Sequence, residues 1–195
     1  PSSGELVFED VNGDGVIGDE DRQIVGDPNP DFAGGFNNMF TYKNLSLDIF
    51  IQYTYGNDIF NGVRQYAENM TISNDNQLVT VKDRWQEPGD ITYVPKAGIT
   101  SNNWVSSHYI EDGSYLRLKR VSFNYDLPQK YLKKLGGYIS SFRIYLRGQN
   151  LYTLTPYSGM DPEVNYSGIS NVVRGVDFFT YPQVRTYTLG IKMNF

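Results

Sequence analysis

The sequence holds no cysteine among its 195 residues, so no disulfide framework supports it, and its stability must come from sheet closure, packing, a metal or a larger assembly. It has one histidine, His108. With no second member in view, neither a His-based zinc site nor a Ser-His-Asp triad can be assembled, and His108 reads as a surface-loop residue. No run of Lys or Arg occurs and the formal net charge is -5, which excludes a nucleic-acid surface. No stretch approaches the run of about 18 apolar residues that a membrane helix requires. The N-terminus, Pro1-Ser2-Ser3-Gly4-Glu5, has neither the basic nor the apolar region of a signal peptide. Either the protein is cytosolic or Pro1 is not its true beginning. The mean hydropathy is negative, yet this leaves a β-barrel open, because every second residue of a barrel strand faces a wet lumen and the long outer loops are polar.

What is abundant points to β-structure. Aromatic residues make up 15% of the chain, most of them Tyr, beside 19 Gly; this composition suits strands and turns, and aromatic girdles where a membrane is involved. The last segment, Tyr187 to Phe195, puts Tyr187, Leu189, Ile191, Met193 and Phe195 on one face and Thr188, Gly190, Lys192 and Asn194 on the other, as the side-chain period of two requires. An apolar face, a polar face and a terminal aromatic are what the closing strand of an outer-membrane barrel needs. An edge strand of a soluble sheet would alternate in the same way.

Four more segments alternate, and the predicted strands are 32–42, 45–55, 114–127, 142–154 and 184–195. Leu45, Leu47, Ile49, Ile51, Tyr53 and Tyr55 share a face against Ser46, Asp48, Gln52 and Thr54, with Phe50 the exception on the polar side. In the third strand Val121, Phe123, Tyr125 and Leu127 alternate with polar residues, but Leu116 and Leu118 fall on the opposite parity. A bulge near Lys119-Arg120 or an upper half that rises out of the membrane would explain the switch. The fourth strand turns Arg143 and Arg147 away from Phe142, Ile144 and Leu146. Unpaired guanidinium groups are costly in a dry core and cheap in a water-filled lumen. The spacers at Lys43-Asn44 and 128–141 are short, whereas 56–113 and 155–182 are long; short turns on one rim and long loops on the other mark an outer-membrane barrel. Within the first long spacer, Leu78 to Trp85 is a candidate short helix before Pro88-Gly89.

Asp10-Val11-Asn12-Gly13-Asp14-Gly15-Val16-Ile17-Gly18-Asp19-Glu20-Asp21 has calcium-loop spacing. Asp10, Asn12 and Asp14 supply oxygens at positions one, three and five, Gly15 permits the sharp turn, Val16 offers its carbonyl and Asp21 closes the shell. Leu6-Val7-Phe8 before it is strand-like, so the flanking helices of an EF-hand are missing, and an Asx-rich turn without metal is the other reading. Asp161 and Glu163 could in principle be glycosidase carboxylates, but nothing in the sequence fixes their separation. Gly148-Gln149-Asn150 and the glycines at 34 and 35 lack the Lys and the following helix of a phosphate loop. No catalytic residue is expected, and the chain is not read as an enzyme.

Several motifs in order resemble one family. They are Asp10 to Asp21, Gly26-Asp27-Pro28-Asn29-Pro30-Asp31-Phe32, Ile110-Glu111-Asp112-Gly113-Ser114-Tyr115-Leu116-Arg117-Leu118-Lys119, Gly148-Gln149-Asn150-Leu151-Tyr152, Asp161-Pro162-Glu163-Val164, Gly175-Val176-Asp177 and Tyr181-Pro182. Together they are similar to the SusC/RagA-type TonB-dependent outer-membrane transporters of Bacteroidetes, over essentially the whole chain. The resemblance implies an all-β, antiparallel transmembrane barrel segment, about five C-terminal strands of a barrel of about 22, with an extracellular loop at 1–31 and barrel from 32 to 195. It implies energised import of oligosaccharides or peptides through the outer membrane of a Gram-negative bacterium. The implied partners are a SusD-like surface lipoprotein, the rest of the barrel and its plug, TonB through an N-terminal part beyond this chain, and membrane lipid. Trp85, Trp104, Tyr109 and Tyr157 are then candidate contacts for cargo or lid, since aromatic rings stack on sugars and also pack their own loops. The alternative is a secreted or surface calcium-binding β-domain that recognises glycans. The apolar face separates the two: it should be exposed in a barrel and buried between two sheets in a soluble module.

Overall fold

The computed structural model describes residues 4–71, 75–98, 104–135, 138–168 and 173–195. Its elements in chain order are β1 (Phe32–Tyr42), β2 (Leu45–Tyr55), β3 (Asp58–Asn61), α1 (Gly62–Ala67), β4 (Ile110–Asp112), β5 (Tyr115–Asp126), α2 (Gln129–Leu132), β6 (Ser141–Leu154), β7 (Val176–Asp177) and β8 (Thr186–Asn194). Short 3-10 turns lie at Asp19–Asp21, Val79–Asp83, Ser107–Tyr109 and Lys133–Leu135. Residues 1–3 of the expected loop segment and part of the 128–141 connection lie outside the described residues. Among the described residues no helix is long and apolar enough to cross a membrane. The chain forms two compact units, one of residues 29–57, 112–163 and 181–195, the other of 1–28, 58–111 and 164–180.

The first unit is a five-stranded sheet in the order β1-β2-β5-β6-β8, each neighbouring pair antiparallel. Lys43 closes the first hairpin with φ +51°, the left-handed conformation that two-residue hairpin turns demand. β8 is shorter than the 184–195 expected and ends one residue before Phe195, because Asn194 already faces Ser141, the first residue of β6. Ser140 completes that end by donating its backbone N–H to the Asn194 carbonyl at 2.8 Å.

Register sorts the two faces into rows. Phe40, Leu47, Phe123, Leu146 and Leu189 form one apolar row across all five strands, and Tyr42, Leu45, Tyr125, Ile144 and Ile191 form the next. In the other direction come Asn38, Ile49, Val121, Gly148 and Tyr187, then Phe36, Ile51, Leu118 and Tyr152. The side chains of this face stand open: Leu189 is 75% and Leu146 52% exposed, and among the described residues the unit contains no second sheet to bury them. From Leu45 to Tyr55 the face runs ten residue steps, which at about 3.3 Å per residue and a tilt of about 40° spans about 25 Å. That is the height of an outer-membrane apolar band.

The opposite face is polar. Met39, Asp48, Ser122, Arg147 and Thr188 make one row, and Thr41, Ser46, Asn124, Tyr145 and Gly190 another. Phe50 belongs here because its ring lies over Gly35, where a Cβ would come within 2.7 Å of it, with the Arg120 guanidinium 5.7 Å from its centroid. The parity switch in β5 is a bulge: Phe50 faces Arg120 while Ile51 faces Leu118, leaving Lys119 as the extra residue. β6 answers with Asn150 and Leu151 against that one residue, Asn150 taking φ +51°. The two irregularities keep Leu116, Leu118, Tyr152 and Leu154 on the apolar face.

The second unit is built on a small sheet in the order β4-β3-β7, with β3 and β7 parallel through Phe60↔Val176 and Asn61↔Asp177. Asn61 caps α1 by accepting the Arg64 N–H at 2.8 Å, and Ile59, Ala67, Val94 and Tyr109 form its buried apolar core. The helix expected over 78–85 is a single 3-10 turn, Val79–Asp83.

Candidate functional site

In the sheet unit the polar face carries the charge. Arg143 pairs with Asp126 through two bonds, Nε to Oδ1 at 2.6 Å and Nη2 to Oδ2 at 2.8 Å. Arg147 stays exposed, its Nε 3.4 Å from the Ser122 hydroxyl. Both arginines therefore lie on the wet side of the sheet, as strand parity predicts. Asp48 takes the Arg120 Nε at 3.0 Å. A solvated face of this kind needs no dry burial of charge.

Among the described residues of this unit one cation is nevertheless buried. Arg117, at 1% exposure, donates from Nη2 to Asp161 and from Nη1 to Glu163 at 2.9 Å, while its guanidinium stands 5.3 Å from the Tyr115 ring centroid. Lys119 adds a second contact to Glu163 at 2.8 Å. Asp161 also accepts the backbone N–H of Glu163 and of Gln183, each at 2.8 Å. The two acids considered as a glycosidase pair are thus counterions of one guanidinium, and they tie β5, the segment after β6 and the segment before β8 to one point. Neither is presented as a free acid and base pair to a substrate.

In the second unit Arg64 has the corresponding role. It contacts Glu111 at 2.6 Å, Glu68 at 3.5 Å and the His108 carbonyl, and it stands over the rings of Tyr93 and Tyr109 at 5.1 and 5.4 Å. His108 is not a loose surface residue. Its ring stacks on Tyr93 at 4.3 Å and meets Tyr109 edge-on at 4.7 Å. Burial, then the Arg64 charge, pushes its pKa down to about 4, so the ring is neutral at physiological pH. Burial raises the Glu68 carboxyl despite the Thr80 hydroxyl and Arg64 beside it, and burial first, then Glu68, pushes the Tyr109 phenol up to about 12.

The carboxylate loop is a set of Asx turns. Asp10 accepts the N–H groups of Gly13 at 2.7 Å and Gly15 at 2.8 Å, Asn12 that of Asp14 at 2.9 Å, and Asp14 that of Val16 at 2.7 Å. Asp21 closes the loop on Gly18 at 2.7 Å and Val11 at 2.9 Å. These N–H groups, Gly18 foremost, hold its carboxyl below the usual carboxylate range. Gly13 and Gly15 supply φ +77° and +80°, which side-chain-bearing residues rarely adopt. Among the described residues no three His, Cys, Asp or Glu side chains converge as a metal-binding group.

The four aromatic candidates occupy different settings. Trp104 is 52% exposed and tilts against Phe8 at 5.1 Å. Trp85 packs on Gly4, where a Cβ would come within 2.5 Å of its ring. Tyr109 and Tyr157 are buried, at 3% and 5% exposure; the first packs against His108 and Arg64, and the second lies against Gly159. Composition gave no sign of a further cluster in the second unit, where Phe178 meets Tyr66, Tyr166 and Phe179 edge to face at 6.1, 5.6 and 5.2 Å. Phe179 there takes φ +53° and is 60% exposed.

No family model matches the chain. Over 98% of its length it is 40% identical to the TonB-dependent receptor P3 of Formosa agariphila, 34% to the TonB-dependent receptor P26 of the same organism, and 24% to the TonB-dependent receptor SusC of Bacteroides thetaiotaomicron. It spans 18% to 20% of the length of those proteins. Among solved structures it is similar to the RagAB peptide importer in the open-open state, with a TM-score of 0.74 and 31% identity over 89% of this chain and 18% of that one. The closed-closed state of that importer gives the same TM-score over 88% of this chain.

Proposed function

Because the chain belongs to the TonB-dependent receptors of the SusC/RagA type, we propose that it is the C-terminal part of the barrel of an outer-membrane transporter that imports oligosaccharides or peptides with a SusD-like surface lipoprotein. The observation that carries the reading is the division of one sheet into continuous rows, apolar and exposed on one side, polar and charged on the other. In water such an apolar face would be an association hazard, whereas in a bilayer it is solvated by lipid and the polar face lines the lumen. β1 and β8 are the outer strands of the sheet, and their free edges pair with further barrel strands. The short connections then lie on the periplasmic rim and the long loops outside, where lid and cargo arrive. The rest of the barrel, its plug and TonB complete the machine, and no chemical step is required of this chain.

Trp104 offers the open ring among the four aromatic candidates; Trp85, Tyr109 and Tyr157 act by shaping the loops. Calcium at Asp10, Asn12, Asp14, Val16 and Asp21 belongs to the same proposal, supported by donor spacing, since each carboxylate keeps lone pairs beyond its N–H contacts. Fractionation of the full-length protein tests the transport reading: it should sediment with the outer membrane, and its deletion should remove growth on either an oligosaccharide or a peptide source. Recovery in the soluble extracellular fraction would favour the calcium-binding glycan module instead.

A further inference from the structure

The apolar face is not uniformly filled. At the end of the strands that leads into the long loops, a groove of about 540 Å³ opens between β2 and β6, lined by Tyr53, Tyr55, Leu116, Leu154, Thr155 and Pro156. Its origin lies in one cross-strand row, Gly34, Tyr53, Leu116 and Leu154. The Tyr53 ring leans over Gly34, where a Cβ would sit 2.8 Å from its hydroxyl. That leaves only the shorter Leu116 between Tyr53 and Leu154. The bulge pair in β5 and β6 directs both leucines outward, so the groove continues directly into the lipid-facing band.

We propose that this groove is a binding site for one acyl chain of an outer-leaflet lipid. The occupant follows from continuity: the groove opens onto a face whose solvent is hydrocarbon, it is walled almost wholly by apolar surface, and its volume lies within the range of about 300–1,000 Å³ typical of small-molecule sites. Tyr53 and Tyr55 stand at the depth where the amphipathic ring of tyrosine meets the headgroup layer. A chain seated there is held between β2 and β6 and exchanges more slowly than the surrounding lipid. Gly34 is the residue that keeps the groove open, because any side chain there drives the Tyr53 ring towards Leu116.

The inference rests on the barrel reading, and the test separates the two. The full-length receptor is extracted from outer membranes, exchanged extensively into detergent, and its retained lipid counted by native mass spectrometry. Wild type should keep one more firmly bound lipid than Gly34→Leu, and Leu116→Trp, which fills the groove directly, should lose the same one. Asn38→Leu, on the same face outside the groove, should retain it. Should Gly34→Leu fail to assemble, Leu116→Trp alone decides. Equal retention in wild type and Leu116→Trp, in a protein that fractionates with the outer membrane, would overturn the lipid site and leave the transporter reading intact. A receptor absent from the outer membrane would overturn both.

Discussion

Asp161→Asn should release the segment that follows β6. Asp161 is 4% exposed and serves three donors, the Arg117 guanidinium and the N–H groups of Glu163 and Gln183. An amide in its place has one acceptor atom and no charge, so Arg117, at 1% exposure, keeps only Glu163, which it shares with Lys119. Removing one partner of a buried pair costs about 3–5 kcal/mol. The surviving Glu163 contact puts the expectation at the lower end, about 3 kcal/mol, which is roughly a 150-fold change in a local opening equilibrium at about 1.4 kcal/mol per factor of ten. The assay is hydrogen exchange of residues 155–168 in the detergent-solubilised full-length receptor. Exchange there should accelerate by about two orders of magnitude, while peptides from β2 remain protected. Glu163→Gln, whose side chain is 33% exposed, should accelerate exchange by less than tenfold, in keeping with the small worth of accessible pairs. If Asp161→Asn exchanges like wild type, or if the two variants are indistinguishable, the segment is held by packing and the electrostatic account is wrong.

On the exposed apolar face, Ile49→Arg lies in a central row and, if that face meets the bilayer core, should cost about 2–4 kcal/mol of barrel stability, visible as reduced outer-membrane assembly. Thr188→Arg, on the polar face, should assemble normally. His108 stays neutral in the folded unit with a pKa of about 4, so its contribution is complete above the unfolded value of about 6.5 and is lost as pH falls from there through the folded pKa. Exchange protection of residues 104–111 should weaken over that window by at most about 1.4 kcal/mol per pH unit. His108→Phe should remove that slope, leaving the opposite and smaller trend from Glu68, whose raised pKa favours the fold as pH falls. Calorimetric titration of the full-length receptor with calcium should show binding that Asp14→Ala abolishes; no heat at millimolar ion would reduce the Asp10–Asp21 loop to its Asx turns.

The five strands were legible because each has one apolar and one polar face, which imposes a strict period of two on residues such as Leu189, Ile191 and Met193. The bulge in β5 was legible for the same reason, as the parity change between Leu118 and Val121. Its counterpart in β6 was hidden. Ile144, Leu146, Tyr152 and Leu154 keep one parity through the irregularity, so alternation carries no sign of it, and the only local signal is an asparagine, a residue that tolerates the left-handed conformation. The end of β8 could not be read either, since it is set by where β6 begins and no local pattern encodes a neighbour's length.

The buried charges were illegible for a deeper reason. Arg117 and its acids are separated by 44 and 46 positions, and nothing in a sequence states that two such groups meet. Parity placed Arg143 and Arg147 on the polar face, where both are exposed. Arg117 has the same alternation and the opposite environment, because the segment after β6 folds back and covers it. A buried guanidinium tolerates that only with counterions supplied by the covering segment. Asp161-Pro162-Glu163 supplies them, with the proline between two acids limiting the backbone freedom that must be lost when both point at one cation. The acid pair weighed as glycosidase carboxylates in the linear sequence therefore anchors a loop to the polar face of the sheet. The loop's position depends on that charge pairing, whereas the strands beneath it depend on the ladder that joins them to their neighbours.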